Sequence, residues 1–320
     1  MSRRCPGPAP TQPRGSAARR RRGAGLLLPL LALLAPLVSA QPGSPTVAMP
    51  VSFADVTALE VRSPDRRVAY GREPSQHAYL WRPPGQQPAP VVVLVHGGCW
   101  LSEYAVDHVF ALAARLARAG FAVWAPEYRR VGETGGGWPG SAADLVLALD
   151  RLANLREPRL NLHQVLLAGH SAGGHLALWL ASRDPDLWPA GITPRGVVGI
   201  AAITDLAAYA AGDNSCQAVT PRFMGGSPQA LPARYAQASP ASLPSRLPTV
   251  LLRGDADRIV GAQQMAALRD RSGVATRTLA GAGHFDWIHP RTDAYALLQD
   301  TLANLLEQSL RAQSQESAHD

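Results

Sequence analysis

From about residue 90 onward, short unbroken apolar runs alternate with longer stretches in which apolar positions recur every three or four residues. The run Val91-Val92-Val93-Leu94-Val95 is rich in Val and has no polar position, as a strand covered on both faces requires. Residues 106–119 carry a helical pattern, and Gly120 supplies its stop. A strand over 121–124, ended by Pro126, a helix over 144–155 and a strand over 165–168 follow. Next come an Ala- and Leu-rich helix over 172–182 and two buried strands, 197–203 and 250–252. A helix over 262–271, a last strand over 275–279 and a closing helix over 293–310 complete the pattern, with a polar end from Ser314. This alternation predicts a mostly parallel sheet wrapped by helices.

Two stretches depart from it. Residues 205–246 lie between two core strands and are rich in Ala, Pro and Ser, which marks an insertion or small lid. Residues 41–90 precede the first core strand and predict edge strands, Tyr79-Leu80-Trp81 foremost. No composition shift divides residues 41–320, and 46% hydrophobic residues suffice for a sizeable core, so a single α/β domain is expected there.

Residues 1–40 read as a signal peptide rather than as part of the fold. Arg19 to Arg22 form a positive cluster, and residues 26–38 are apolar, broken only by Pro29 and Pro36. That run is shorter than the roughly 20 residues a spanning helix needs, and Val38-Ser39-Ala40 offers the small residues of a cleavage site before Gln41. The expectation is export, to the periplasm or the medium, with no stable membrane anchor. Seven of the 31 basic residues fall in 1–40, which hold no acid, leaving 24 basic against 24 acidic residues in 41–320. The high isoelectric point thus belongs to the leader, and a nucleic-acid partner is excluded. Every basic residue is Arg, which rules out a Walker A lysine, a pyridoxal Schiff base and a Ser–Lys pair. Cys99 and Cys216 remain after the leader; neither has a second Cys at zinc-finger spacing, and two separate, partly buried thiols are expected, with one disulfide between them the alternative in an exported protein. Gly135-Gly136-Gly137-Trp138-Pro139-Gly140 fits a dinucleotide fingerprint in letters, but it does not directly follow a strand as that motif demands, so no nucleotide is expected.

The chemistry sits at strand ends. Gly169-His170-Ser171-Ala172-Gly173 joins a strand to a helix, and a serine on such a sharp turn has its hydroxyl exposed above the sheet. Upstream, His96-Gly97-Gly98-Cys99-Trp100 ends the first buried strand. Acyl transfer builds negative charge on a carbonyl oxygen, and a glycine loop can bring backbone N–H groups to it, joined by the N–H of Ala172. An acid and a histidine should follow in that order. Gly254-Asp255-Ala256-Asp257 and Gly283-His284 both follow strands, and spacing alone does not separate Asp255 from Asp257. Trp100, Trp287 and Phe223 are candidate walls of the substrate pocket, and His175, on the helix behind the serine, reads as a packed histidine.

The His-Gly-Gly-x-Trp loop, the Gly-His-Ser-Ala-Gly-Gly elbow, Glu127-Tyr128-Arg129 and the Gly-Asp-Ala-Asp and Gly-Ala-Gly-His segments together resemble the esterase/lipase branch of the α/β-hydrolases. More narrowly they resemble bacterial feruloyl-esterase-like and kynurenine formamidase-like enzymes, over about residues 66–310. The resemblance implies an eight-stranded, mostly parallel sheet and a triad of Ser171 as nucleophile, Asp257 as acid and His284 as base. It also implies Gly97, Gly98 and Ala172 as oxyanion donors. Cys99 departs from relatives that often carry Gly or an aromatic residue there. The expected function is a serine hydrolase acting on small to medium carboxylic esters, with no metal and no cofactor. A formamidase would use the same machinery on an aryl-formamide, and an inactive hydrolase fold could serve as a binding module. The lid segment shows no long amphipathic helix, which favours short esters over long-chain lipids.

Overall fold

The computed structural model describes residues 50–316; the expected leader, 1–40, lies outside them. A short helix α1 (Phe53–Thr57) precedes strands β1 (Arg66–Ala69), β2 (His77–Trp81) and β3 (Ala89–Val95). Helix α2 (Phe110–Arg118), entered through one 3-10 turn at Val106–Val109, leads to β4 (Ala122–Pro126), α3 (Gly140–Ala153), β5 (Leu160–His170) and α4 (Ala172–Ala181). After β6 (Pro194–Ile200) come three helices, α5 (Leu206–Ala210), α6 (Ser215–Met224) and α7 (Pro232–Ala238). The chain ends with β7 (Thr249–Gly254), α8 (Ala262–Ala266), β8 (Val274–Leu279) and α9 (Asp293–Glu316). The strands form one eight-stranded sheet in the order β1-β2-β4-β3-β5-β6-β7-β8, antiparallel at β1-β2 and β2-β4 and parallel from β4 to β8. This is the α/β-hydrolase architecture that the resemblance implies.

The period-2 geometry of β3 explains why its sequence has no polar face. Val91, Val93 and Val95 point into one core with Leu145 and Leu149 of α3 and Leu176 of α4. Val92 and Leu94 point into the opposite core with Leu112 and Leu116 of α2 and Leu298 and Leu302 of α9. Each of these side chains contributes about 1.5–3 kcal/mol by leaving water. β8, at the edge, alternates instead between half-buried and exposed positions. Helix α2 ends as its sequence predicts, with Gly120 at φ 105°, a conformation in which a side chain would be strained.

Local periodicity overran some ends. Residues 267–271 are turns rather than a continuation of α8, and 201–203 leave the sheet. The stretch 205–246 holds α5, α6 and α7 between β6 and β7, close to the mouth of the sheet. The largest departure from expectation is covalent: Cys99 and Cys216 form a disulfide, across Cα atoms 5.1 Å apart, and are not separate thiols. Nothing in their spacing of 117 residues signals the pairing, which exists because the insertion folds back over the loop after β3.

The junction of β5 and α4 allows no side chain on its glycines. A Cβ on Gly173 would lie 2.2 Å from the carbonyl oxygens of both Val95 and His96, and one on Gly169 would lie 2.2 Å from the oxygen of Gly173. Gly173→Ala should therefore destabilise by several kcal/mol, the scale of core overpacking or more, read as a lowered urea midpoint. Gly191→Ala, at φ 86° with nothing within 4 Å of its Cβ, should cost only the backbone strain of about 1–2 kcal/mol. Equal midpoints for the two variants would contradict this account of the junction.

Candidate active site

Ser171 occupies the turn between β5 and α4 with φ 57° and ψ −119°, a conformation rarely adopted by a residue with a side chain. The turn is held from below: the Ser171 N–H donates to the Ile200 carbonyl at 2.8 Å, and the Ser171 carbonyl accepts from His175 N–H at 3.0 Å. Ala172 is the first residue of α4, so its N–H has no carbonyl one turn earlier in the helix, and the positive end of the helix dipole lies at the serine.

The loop after β3 lies directly against this turn. A Cβ on Gly97 would come within 2.9 Å of the His170 carbonyl oxygen and 3.2 Å of the Ser171 Cβ. Gly98 follows at φ 94°, and Cys99 and Trp100 continue the left-handed course at φ 53° and 57°. Backbone in that region costs of order 1 kcal/mol for each residue with a Cβ, so something must over-determine it. The contacts are several. The Tyr128 hydroxyl donates to the His96 carbonyl at 3.0 Å, Val131 N–H donates to the Trp100 carbonyl at 2.8 Å, and the Trp100 indole donates to His175 Nδ1 at 3.3 Å. The disulfide from Cys99 to Cys216 ties the loop to α6.

Beneath the loop, Glu127 is buried with His96 and Arg130. Its Oε1 lies 2.7 Å from His96 Nε2 and accepts from Tyr128 N–H, while Oε2 accepts from Val106 N–H at 2.9 Å and faces Arg130 at 3.1 Å. Burial works against ionisation, but the His96 ring and the Arg130 guanidinium more than offset it and hold the carboxyl at about 2. In the sequence Glu127 stood out only through the family resemblance; its place under the glycine loop comes from the return of β4 beside β3.

His284 stands after β8, with its Nδ1 2.8 Å from Asp257 Oδ2. The other oxygen of Asp257 accepts from the N–H groups of Ile259 and Val260 at 2.8 and 2.9 Å. Burial alone would raise the Asp257 pKa, but the hydrogen bond and charge of His284, with those two N–H groups, bring it below the ordinary value, so the carboxylate stays ionised. Asp255 is exposed and accepts instead from Gly281 N–H at 2.7 Å, which separates the two candidates by geometry. His170 had no assigned part in the sequence. Its Nε2–H donates to the His284 carbonyl at 2.9 Å, with the two rings 4.5 Å apart. Burial and the neighbouring His284 push the His170 pKa well down, so it orients the His284 backbone as a neutral ring.

Ser171, His284 and Gly98 share a cavity of about 150 Å³. Phe53, Tyr104, His108, Phe285, Ile259 and both cysteines of the disulfide also line it. A cavity of this size takes one benzene-sized group. The three aromatic residues expected at the pocket are not among its walls. Trp100 is fully buried and stacks on Phe223 with ring centroids 4.5 Å apart, and Trp287 is fully buried in the core on the α2 and α9 side of the sheet. Loops that frame a site must return to the core, and these large apolar side chains anchor them there. Among the described residues no group of three or more His, Cys, Asp or Glu is placed to hold a metal ion.

The ionised Glu127 should shape acid stability. Its folded pKa lies below its ordinary 4.5, so the stability it contributes is complete above about pH 4.5 and is lost as pH falls toward 2. Glu127→Gln should be less stable than wild type at pH 7 by about 3–5 kcal/mol, because Arg130 and His96 lose a buried partner. The same variant should show a flatter stability curve between pH 4.5 and 2 in urea titrations. An unchanged slope there would show that other carboxylates carry the acid sensitivity.

Comparisons with known proteins agree with this fold. The BD-FAE family model matches residues 79–271, more than half of the chain, a stretch that includes Ser171 and Asp257 and stops before His284. Esterase LipC of Mycobacterium tuberculosis is 33% identical over 125 residues, which span 38% of this chain and only 30% of LipC. Among solved structures, esterase B of Lactobacillus rhamnosis superposes with a TM-score of 0.67 at 21% identity, covering 82% of this chain and 93% of that one. A truncated carbohydrate esterase from gut microbiota gives a TM-score of 0.62 at 18% identity, covering 77% and 97%. At such identities these two structures speak for the fold. Sheet topology, elbow and family match converge, and the chain belongs to the BD-FAE family, in the esterase/lipase branch of the α/β-hydrolases.

Proposed function

We propose that this protein is a serine hydrolase that cleaves small to medium carboxylic esters through an acyl-enzyme on Ser171. The observation that carries the reading is the convergence on one cavity of a strained elbow serine and a histidine whose Nδ1 is held by a buried, ionised carboxylate. With Nδ1–H donated to Asp257, the Nε2 of His284 is left as a base. The Ser171 oxygen attacks the ester carbonyl carbon as its proton passes to Nε2. The carbonyl oxygen gains the negative charge, which the N–H groups of Gly97, Gly98 and Ala172 stabilise. Collapse of the intermediate breaks the C–O bond to the alcohol, which leaves with the proton from His284. Water then attacks the acyl-enzyme, gives its proton to His284 and releases the acid. That the relatives are esterases supports ester chemistry as the reaction class.

The insertion favours short esters. Of the bulky apolar residues of 205–246, Leu206, Tyr209, Val219, Phe223, Met224 and Tyr235 are buried and Leu231 and Leu243 half-buried, so this segment presents no broad apolar face to an oil–water interface. We also place the protein in an exported compartment. The leader read in the sequence motivates this, and the Cys99–Cys216 disulfide supports it, since such bonds persist in oxidising surroundings.

A fluorophosphonate probe should label Ser171, and Ser171→Ala should lose more than nine-tenths of kcat on p-nitrophenyl butyrate while keeping its fold. Asp257→Asn should lose about 10⁴ in kcat, and Asp255→Asn much less. Across p-nitrophenyl esters, kcat/KM should peak between acetyl and hexanoyl; a peak at dodecanoyl with interfacial activation would overturn the chain-length reading. For export, mass spectrometry of protein recovered outside the cytoplasm should find a chain beginning at or near Gln41. Recovery with the Arg cluster intact would contradict cleavage.

A further inference from the structure

The segment 50–57 precedes every strand and lies outside the stretch matched by the family, yet it reaches the cavity. It is fastened at three points. Val51 N–H donates to Asp286 Oδ2 at 3.0 Å, and the same oxygen accepts from Gly283 N–H at 3.0 Å, one residue before His284. A Cβ on Gly283 would lie 2.5 Å from the Cβ of Pro50, so the segment rests directly on the histidine loop. Ser52 caps α1, accepting from Asp55 N–H while its own N–H donates to the Asp55 carboxylate, and Val56 is buried in the core beside α2.

These fastenings present Phe53 to the cavity. Its ring meets Tyr104 edge to face at 5.5 Å, His108 at 5.7 Å and Phe285 at 5.6 Å, and all four line the space beside Ser171 and His284. The partners come from two connections: Tyr104 and His108 both lie between β3 and α2, and Phe285 follows His284 after β8. Among the described residues, Phe53 is the one contribution from before the sheet, and it joins the other three rings into a continuous wall. Aromatic contacts of this kind contribute about 0.5–1.5 kcal/mol each beyond area burial, so the ring is held in place rather than free to swing aside.

We propose that Phe53 is a specificity-determining residue, delivered by an N-terminal arm that is tethered to the histidine loop through Asp286, and that it limits the length of the substrate group accepted beside Ser171. The inference rests on the serine-hydrolase reading and adds to it a wall that lies outside the family match. Deleting the ring enlarges the cavity beside Ser171, and enlarging the ring shortens it.

The test uses the full mature chain with Phe53→Ala and Phe53→Trp, each checked for folding by its thermal midpoint and for an intact nucleophile by fluorophosphonate labelling. The quantity read is the ratio of kcat/KM for p-nitrophenyl octanoate to that for p-nitrophenyl butyrate. Phe53→Ala should raise this ratio at least tenfold and Phe53→Trp should lower it at least threefold, with the change falling mainly in KM. If both variants fold and label but keep the wild-type ratio within twofold, the proposal is wrong. A uniform loss on both esters would also overturn it, since it assigns Phe53 a structural part alone. Failure of the wild type to label or to hydrolyse any ester would instead remove the serine-hydrolase reading, leaving the two outcomes distinct.

Discussion

The site depends on the absence of room between the start of α4 and the ends of β3 and β5. Because Gly173 has no Cβ, the helix can rest against the Val95 and His96 carbonyls, and because Gly169 has none, β5 can run into the turn without a gap. That close approach sets the sharpness of the elbow and so the unfavourable φ of Ser171. It also brings the glycine loop within van der Waals distance of the serine, since His96 begins that loop. One steric constraint therefore positions the serine and the backbone donors together.

The loop itself would not keep its shape unaided. Three consecutive residues, Gly98, Cys99 and Trp100, lie in the left-handed region. Their cost is offset by groups arriving from four separate elements: Glu127 and Tyr128 after β4, Val131 beyond them, His175 on α4 and Cys216 on α6. His175 shows how such support is shared. It accepts from the Trp100 indole through Nδ1 and donates to the Ala238 carbonyl of α7 through Nε2, so one neutral ring, with a pKa pushed down to about 4 by burial, links the glycine loop to the insertion. Disturbing the insertion would therefore be felt at the backbone donors.

The elements legible in the sequence were those whose reason is local. β3 could be recognised because burial on both faces leaves no polar position, and the elbow because its glycines flank the serine within five residues, although the carbonyls that demand Gly173 belong to distant Val95 and His96. Helix ends were less legible where no cap marked them, as after α8. What the sequence hid was set by contacts between distant segments. Cys99 meets Cys216 because the insertion folds over the loop, and Phe53 reaches the cavity because Asp286, Gly283 and the core around Val56 hold the segment before it. Trp100 and Trp287 misled by their nearness to the proposed catalytic segments, and Phe223 by its place in the insertion. Nearness in sequence to a catalytic motif says where a backbone goes, not which way a large apolar side chain turns, and these turned toward the core. The choice between Asp255 and Asp257 also waited on geometry, since each follows β7 and only one faces His284.

The disulfide divides the chain in a way that the sheet does not. The covalent ring closed between Cys99 and Cys216 contains Ser171, while Asp257 and His284 lie outside it. Within that ring the connection from α4 to β6 is largely solvent-facing, with Leu187 57% exposed. A protease that cuts there opens the ring but liberates no fragment, because both pieces stay joined through sulfur and remain paired between β5 and β6. Nicked and intact molecules would then migrate alike until a reductant is added. Damage to this surface loop is thus carried silently, with serine and histidine still on one covalent assembly.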